Sequence, residues 1–226
     1  MANQINMYVA STKEELVNKV TQEILTSLSA SVEKFGNANI LLSGGSTPGP
    51  IYRELDLKCE FIDKISIGLV DERFVEQSSE FSNERLLREC FSSREESNYD
   101  IKGMVYDSSD KKENLEQINK EYQKFTDRTD MVILGMGKDG HTASIFPNDP
   151  DSLNALSSSQ AFLNTIAPSF PEERITCSMS LICEATSILL LISGREKRDI
   201  LMNSELNLPI HKVLERRQDI KIFYIE

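Results

Sequence analysis

The order of residues predicts an α/β fold: a three-layer, Rossmann-like domain with a mainly parallel sheet flanked by helices. Three observations carry this. Short apolar runs at residues 40–42, 65–70, 131–134, 187–192 and 220–225 alternate with segments of helical periodicity almost throughout the chain, and that alternation builds strand–helix–strand units. Two of the runs lead directly into glycine-rich turns, at the strand ends where open α/β sheets receive ligands. No linker-like Pro/Gly/Ser tract divides the 226 residues, so residues 1–226 are expected to form one domain.

Taken in order, Met7 to Val9 begin a strand, and Ser11-Thr12 followed by Glu14-Glu15 signal the start of a helix running towards Lys34. Leu16, Val17, Val20, Ile24 and Leu28 recur at helical spacing and form its core-facing stripe. After the strand at residues 40–42 comes Ser43-Gly44-Gly45-Ser46-Thr47-Pro48, then a helix around residues 51–55. The third strand, residues 65–70, ends in Asp71-Glu72-Arg73, three charges expected where a strand meets a loop. Ser82-Asn83 caps a helix through Leu87 and Cys90, residues 92–110 read mostly as loop, and residues 111–125 read as one amphipathic helix with a solvated face. Residues 148–160, rich in Ser, Asn, Asp and Pro, suggest a surface excursion or a mobile flap. Residues 172–176 lead into a strand, 181–185 make a helical turn, and Gly194 opens a helix bearing Lys197 and Leu201. Pro209 starts a last helix with His211 in its first turn, where the ring is structural or solvent-facing.

Composition excludes several classes. A net charge of −11 and pI near 4.8 argue against a nucleic-acid or anionic-membrane surface, because phosphate backbones are gripped by clustered Lys and Arg; an anionic ligand would need a local pocket. The longest aliphatic run is too short to span a bilayer, and the polar Asn3, Gln4 and Asn6 are unlike a signal core, so a cytoplasmic protein is expected. Cys59, Cys90, Cys177 and Cys183 form no CxxC pair, and only two histidines are present, so no metal is implied and the thiols are read as reduced and mostly buried. The Ser43–Pro48 turn is neither a GxGxxG fingerprint nor a Walker A loop, since no Gly-Lys-Ser/Thr follows it, which disfavours a nicotinamide cofactor or ATP.

The chemistry concentrates in two turns. Two glycines in Ser43–Pro48 expose consecutive N–H donors, Ser43, Ser46 and Thr47 add hydroxyls, and the following helix end favours an anion. The second turn, Gly135-Met-Gly-Lys-Asp-Gly-His141, carries an imidazole with Asp139 two residues away to orient it. Lys197 in the first turn of its helix is electrostatically misplaced unless an anion is near.

Together, Leu42-Ser-Gly-Gly-Ser-Thr-Pro48, Val70-Asp-Glu-Arg-Phe-Val75 with Ser82-Asn83, Leu134-Gly-Met-Gly-Lys-Asp-Gly-His-Thr-Ala-Ser-Ile-Phe-Pro147, Arg174-Ile-Thr176, and Gly194 with Lys197 resemble the 6-phosphogluconolactonase family, in the family's order and over most of the chain. The related glucosamine-6-phosphate deaminases carry similar glycine loops. Their pattern usually places a tyrosine after the acidic pair, whereas here Arg73 follows it. Lys138, Asn148 and Cys177 stand at positions where the family varies.

The resemblance implies hydrolysis of 6-phospho-D-glucono-1,5-lactone to 6-phosphogluconate without metal or cofactor. The ligand partner is then a phosphorylated sugar lactone. A monomer is expected, with a homodimer as the alternative. His141 would act as general base and then acid, with Asp139 or a backbone carbonyl setting its tautomer. N–H groups around Gly137 to Gly140 would receive the oxyanion, and Ser43, Gly44, Gly45, Ser46, Thr47, Asp71, Arg73, Arg174 and Lys197 would hold phosphate and sugar hydroxyls. Two alternatives remain at this point: an amino-sugar phosphate deaminase and a non-catalytic sugar-phosphate sensor. A covalent route through Ser43, Thr142 or Ser144 has no G-x-S-x-G elbow in its favour.

Overall fold

The computed structural model describes residues 7–93 and 99–226; the expectations for Asn3, Gln4, Asn6 and residues 94–98 fall outside it. The elements in chain order are β1 (Met7–Ala10), α1 (Lys13–Phe35), β2 (Ala38–Leu42), α2 (Gly49–Lys58), β3 (Ile65–Leu69), β4 (Asp71–Arg73), α3 (Asn83–Cys90) and β5 (Asp100–Ile101). They continue with α4 (Lys111–Glu121), α5 (Gln123–Asp127), β6 (Met131–Gly135), α6 (Pro150–Ser157), β7 (Phe162–Ile166), β8 (Glu173–Cys177), α7 (Met179–Glu184), β9 (Ser187–Ser193), α8 (Arg195–Met202), α9 (Pro209–Arg216) and β10 (Lys221–Ile225).

Among the described residues, seven strands form one sheet in the order β1-β10-β9-β6-β2-β3-β5, with every pairing parallel. Helices must cover both faces of such a sheet, so its inner strands are apolar along their length. Ala38–Leu42 is buried at all five positions, and 131–134 at all four. α1 starts where expected. Thr12 accepts a hydrogen bond from the Glu15 amide, Glu15 reaches back to the Ser11 amide, and Gly36 ends the helix at φ 82°. Leu16, Val20, Ile24 and Leu28 are buried and Val17 is partly so.

The chain runs outward from β2 through β3 to β5, then returns to place β6 against the other side of β2. Strand order therefore reverses between β2 and β6. At such a switch the following loops diverge and leave a crevice at the carboxyl ends. The turns after β2 and β6 are the two glycine-rich segments, and β9, on the far side of β6, delivers Gly194 and α8 to the same rim.

Two sequence expectations need correction and two gain detail. Asp71–Arg73 is not a strand end meeting a loop. It is β4, in a second, antiparallel sheet of order β4-β8-β7 that the alternation of α and β signals did not foretell. Residues 148–160, read as a surface excursion or a mobile flap, carry a helix that their composition did not announce. They hold α6, which Asp149 caps by accepting from the Ser152 amide at 2.9 Å and which Pro150 starts. The expected single helix over 111–125 breaks at Tyr122, whose buried hydroxyl accepts from the Leu69 amide at 2.9 Å and donates to the Lys102 carbonyl at 2.8 Å. Within the 92–110 loop, β5 adds a short strand to the sheet edge. No helix among the described residues is long and apolar enough to cross a membrane.

Candidate active site

The first glycine turn keeps its donors free. Within Ser43–Pro48, the N–H groups of Gly44, Gly45 and Ser46 donate to nothing among the described residues, and the buried Ser43 hydroxyl likewise lacks a partner. A buried hydroxyl left unpaired costs about 1–3 kcal/mol, and this one belongs to a residue of the cleft wall. Gly44 is required by a close approach: a Cβ there would lie 1.9 Å from Oδ1 of Asn83, whose amide nitrogen donates to the Asp71 carbonyl at 2.9 Å. Gly45 sits at φ 109°, open only to glycine without strain.

The second turn aims the imidazole. Nδ1 of His141 lies 2.6 Å from Asp139 Oδ1, and the His141 amide also donates to that oxygen at 3.2 Å. A carboxylate only accepts, so the neutral ring carries its proton on Nδ1 and its lone pair on Nε2, which bonds to nothing among the described residues. Burial raises the Asp139 pKa, but the hydrogen bond and charge of His141 outweigh it and hold the carboxyl below its ordinary range. Phe146 packs against the ring, centroids 4.7 Å apart.

The expected oxyanion donors in this turn need correction. The Gly137 amide donates to the His141 carbonyl at 2.9 Å and the Gly140 amide to the Gly137 carbonyl at 3.2 Å, so both hold the turn itself. Gly140 is buried at φ 78°, outside the cleft wall, with Leu208 packed behind it and its carbonyl accepting from the Ile210 amide at 3.1 Å. His211 is the structural histidine of the two alternatives. It is 2% exposed, its Nδ1 accepts from the Leu208 amide at 3.0 Å, and it shapes the turn that backs Gly140.

The small sheet supplies the charged wall. In its register Arg73 stands directly opposite Arg174, an arrangement of like charges that is destabilising unless an anion comes between them. Burial and the neighbouring Arg73 both lower the Arg174 pKa. Asp71, one strand position pair further on, is buried and accepts the Ser144 hydroxyl at 2.6 Å, which ties β4 to the His141 loop. Ala143, between these groups, sits at φ 49°, a conformation rare outside glycine and held by its surroundings. Lys197 faces the same cleft, its pKa lowered by burial and then by Lys138, while Lys138 itself pairs with Glu196 at 2.9 Å.

Glu72, the middle charge of the triplet, turns away from the cleft. It accepts from the amides of Arg73, Asn83 and Glu84 and from the Ser82 hydroxyl, all at 2.7–3.0 Å, fixing the start of α3 against β4. Burial pushes its pKa up to about 7, against these four donors, which favour the carboxylate. Glu72→Gln puts an NH2 among three backbone amides that can only donate and a Ser82 hydroxyl that already accepts from the Arg85 amide, and is expected to destabilise the fold by about 2 kcal/mol, read as a lowered Tm; an unchanged Tm would show that these four bonds are dispensable.

Ser43, Gly44, Gly45, Ser46, Thr47, Asp71, Arg73, Gly137, Asp139, His141, Arg174 and Lys197 thus line one cleft of about 650 Å³, within the range of small-molecule sites. Of the expected site residues only Gly140 lies behind it. Sequence reasoning missed Phe81 and Phe170, which stand at the mouth with ring centroids 5.4 Å apart at 90°. Among the described residues, no three His, Cys, Asp or Glu side chains gather as a metal ion would need.

Fold and cleft together define an α/β protein with a histidine-bearing, cationic crevice at a parallel-sheet switch point, suited to proton transfer on a small anionic ligand. The chain belongs to the glucosamine-6-phosphate isomerase/6-phosphogluconolactonase family, whose model matches residues 11–222. It is similar in structure to a 6-phosphogluconolactonase from Shewanella baltica OS155, with a TM-score of 0.93, 30% identity and 100% of both chains covered. A Thermotoga maritima 6-phosphogluconolactonase structure matches with a TM-score of 0.83 at 26% identity, over 98% of this chain and 99% of the other. A Helicobacter pylori 6-phosphogluconolactonase is 30% identical over 86% of this chain and 87% of its own.

Proposed function

We infer that the chain hydrolyses 6-phospho-D-glucono-1,5-lactone to 6-phosphogluconate, and we propose that His141 activates the attacking water. The observation that carries the proposal is the free Nε2 of an imidazole whose Nδ1 is held by Asp139 inside a cationic cleft. Water bound at Nε2 loses its proton to the ring as its oxygen attacks the lactone carbonyl. The imidazolium, stabilised by Asp139, then returns the proton to the ring oxygen as the C–O bond breaks. A lactone is already an activated ester, so most of the remaining work is orientation. Arg73, Arg174, Lys197 and the free N–H groups after β2 hold the phosphate and hydroxyls, spending binding energy to keep the carbonyl beside His141.

Acid release from freshly made lactone, corrected for spontaneous opening, tests the reaction. Ammonia release from glucosamine 6-phosphate in its place would establish the deaminase alternative, and ligand binding without turnover would establish a sensor.

Lys197→Glu is expected to raise KM for the phosphorylated lactone by about 30-fold, the equivalent of ~2 kcal/mol for a lost charged contact, and to change KM for unphosphorylated glucono-1,5-lactone far less. Equal changes for both substrates would remove Lys197 from phosphate binding.

A further inference from the structure

Phe170 is 76% exposed and Phe81 36% exposed. Single exposed apolar side chains are ordinary on protein surfaces, but these two touch edge to face at the mouth of the cleft that holds His141 and the facing arginines. Their mutual contact leaves most of the Phe170 ring open. Neither ring is placed at random with respect to the chemistry. Arg73 donates through Nη1 to the Phe81 carbonyl, and Arg174 donates through Nε to the Pro171 carbonyl at 2.8 Å, so the two facing arginines each tether one aromatic segment. Whatever anion sits between those guanidinium groups is set at a defined distance from the aromatic pair.

A six-membered lactone carries its hydroxyls around the ring edge and its C–H bonds towards the faces. The cleft offers partners for the edge, namely Asp71, the two arginines and the hydroxyls after β2, while for a face it offers apolar residues of its walls, such as Phe146 and Met136, and at its mouth the more exposed ring of Phe170. Aromatic rings suit that role, giving large apolar contact with little conformational freedom to lose. The open-chain product has no such face.

Building on the lactone reading of the cleft, we propose that Phe170, braced by Phe81, is a specificity-determining residue that lies against the C–H face of the closed sugar ring and favours cyclic over open-chain sugar phosphates. The contact holds the substrate and is lost when the ring opens, so it also eases departure of the product.

The test is calorimetric titration of the parent, Phe170→Ala, Phe170→Leu and Phe170→Tyr with two probes: 1,5-anhydroglucitol 6-phosphate, a closed ring with no carbonyl to react, and open-chain 6-phosphogluconate. Phe170→Ala is expected to weaken the cyclic probe about tenfold, the size of one aromatic contact, and to leave the open-chain probe unchanged. Phe170→Tyr should restore the cyclic affinity and Phe170→Leu should fall between. Equal weakening of both probes, no weakening of either, or a parent that does not bind the cyclic probe would each overturn the proposal. Because neither probe turns over, these results stand apart from the reaction itself, which fails separately if the parent does not hydrolyse the lactone.

Discussion

Replacing His141 by Asn is expected to lower kcat for lactone hydrolysis by about 10²–10⁴-fold, the usual range for a lost general base, with KM nearly unchanged. Asn keeps a hydrogen-bonding side chain of similar reach but cannot take up a proton from water. Asp139 cannot replace the ring, because its oxygen facing Nδ1 is turned into the loop and accepts from the His141 amide. The His141 side chain is one-third exposed, so Tm should move little, and a rate loss at constant Tm assigns the effect to chemistry. The lactone opens spontaneously, so the comparison needs initial rates above that background. A variant as fast as the parent would take His141 out of the mechanism.

Gly137→Ala is expected to lower kcat by about 10²-fold without contacting the substrate. A Cβ at this position would stand 2.2 Å from Cε1 and Nδ1 of His141 and 2.6 Å from Oδ1 of Asp139, distances that real Cβ atoms essentially never show. Gly137 does not have positive φ, so the backbone accepts alanine and the strain falls on the imidazole, which is free to swing on its cleft side. The double variant Gly137→Ala/His141→Asn separates this from a general loss of structure. If Gly137 acts only through the ring, the second substitution adds nothing to His141→Asn. Multiplied losses in the double variant would mean that the turn serves catalysis in another way.

Much of this site was legible before the fold because backbone chemistry is written locally. Two adjacent glycines between a strand and a helix announce free N–H groups, and Asp-Gly-His after a buried strand announces an oriented ring; Gly44, Gly45, Asp139 and His141 stand where those patterns imply. The parts that escaped are those set by distant partners. Gly137 and Gly140 looked like open donors, yet their N–H groups close the turn. β4 is three residues of charge and shows no strand periodicity; only pairing with β8, a hundred residues later, makes Asp71–Arg73 a strand and sets Arg73 opposite Arg174. The polar composition of 148–160 hid α6, although Asp149-Pro150 was a readable helix start. Phe81 and Phe170 carry no sequence signal at all, since an aromatic residue in a loop looks the same whether it caps a core or borders a cleft.

The order of strands also dictates an order of events. Among the described residues β1 has one neighbour, and that neighbour is β10, more than two hundred residues later. During synthesis the first four sheet residues therefore emerge with nothing to pair with, and their place in the ladder exists only after residues 221–225 have left the ribosome and settled against β9. Contacts this far apart in sequence are slow to close. Until they do, the edge of β9 stays open as a template for foreign strands, so the growing chain is most prone to aggregation between the completion of β9 and the docking of β10.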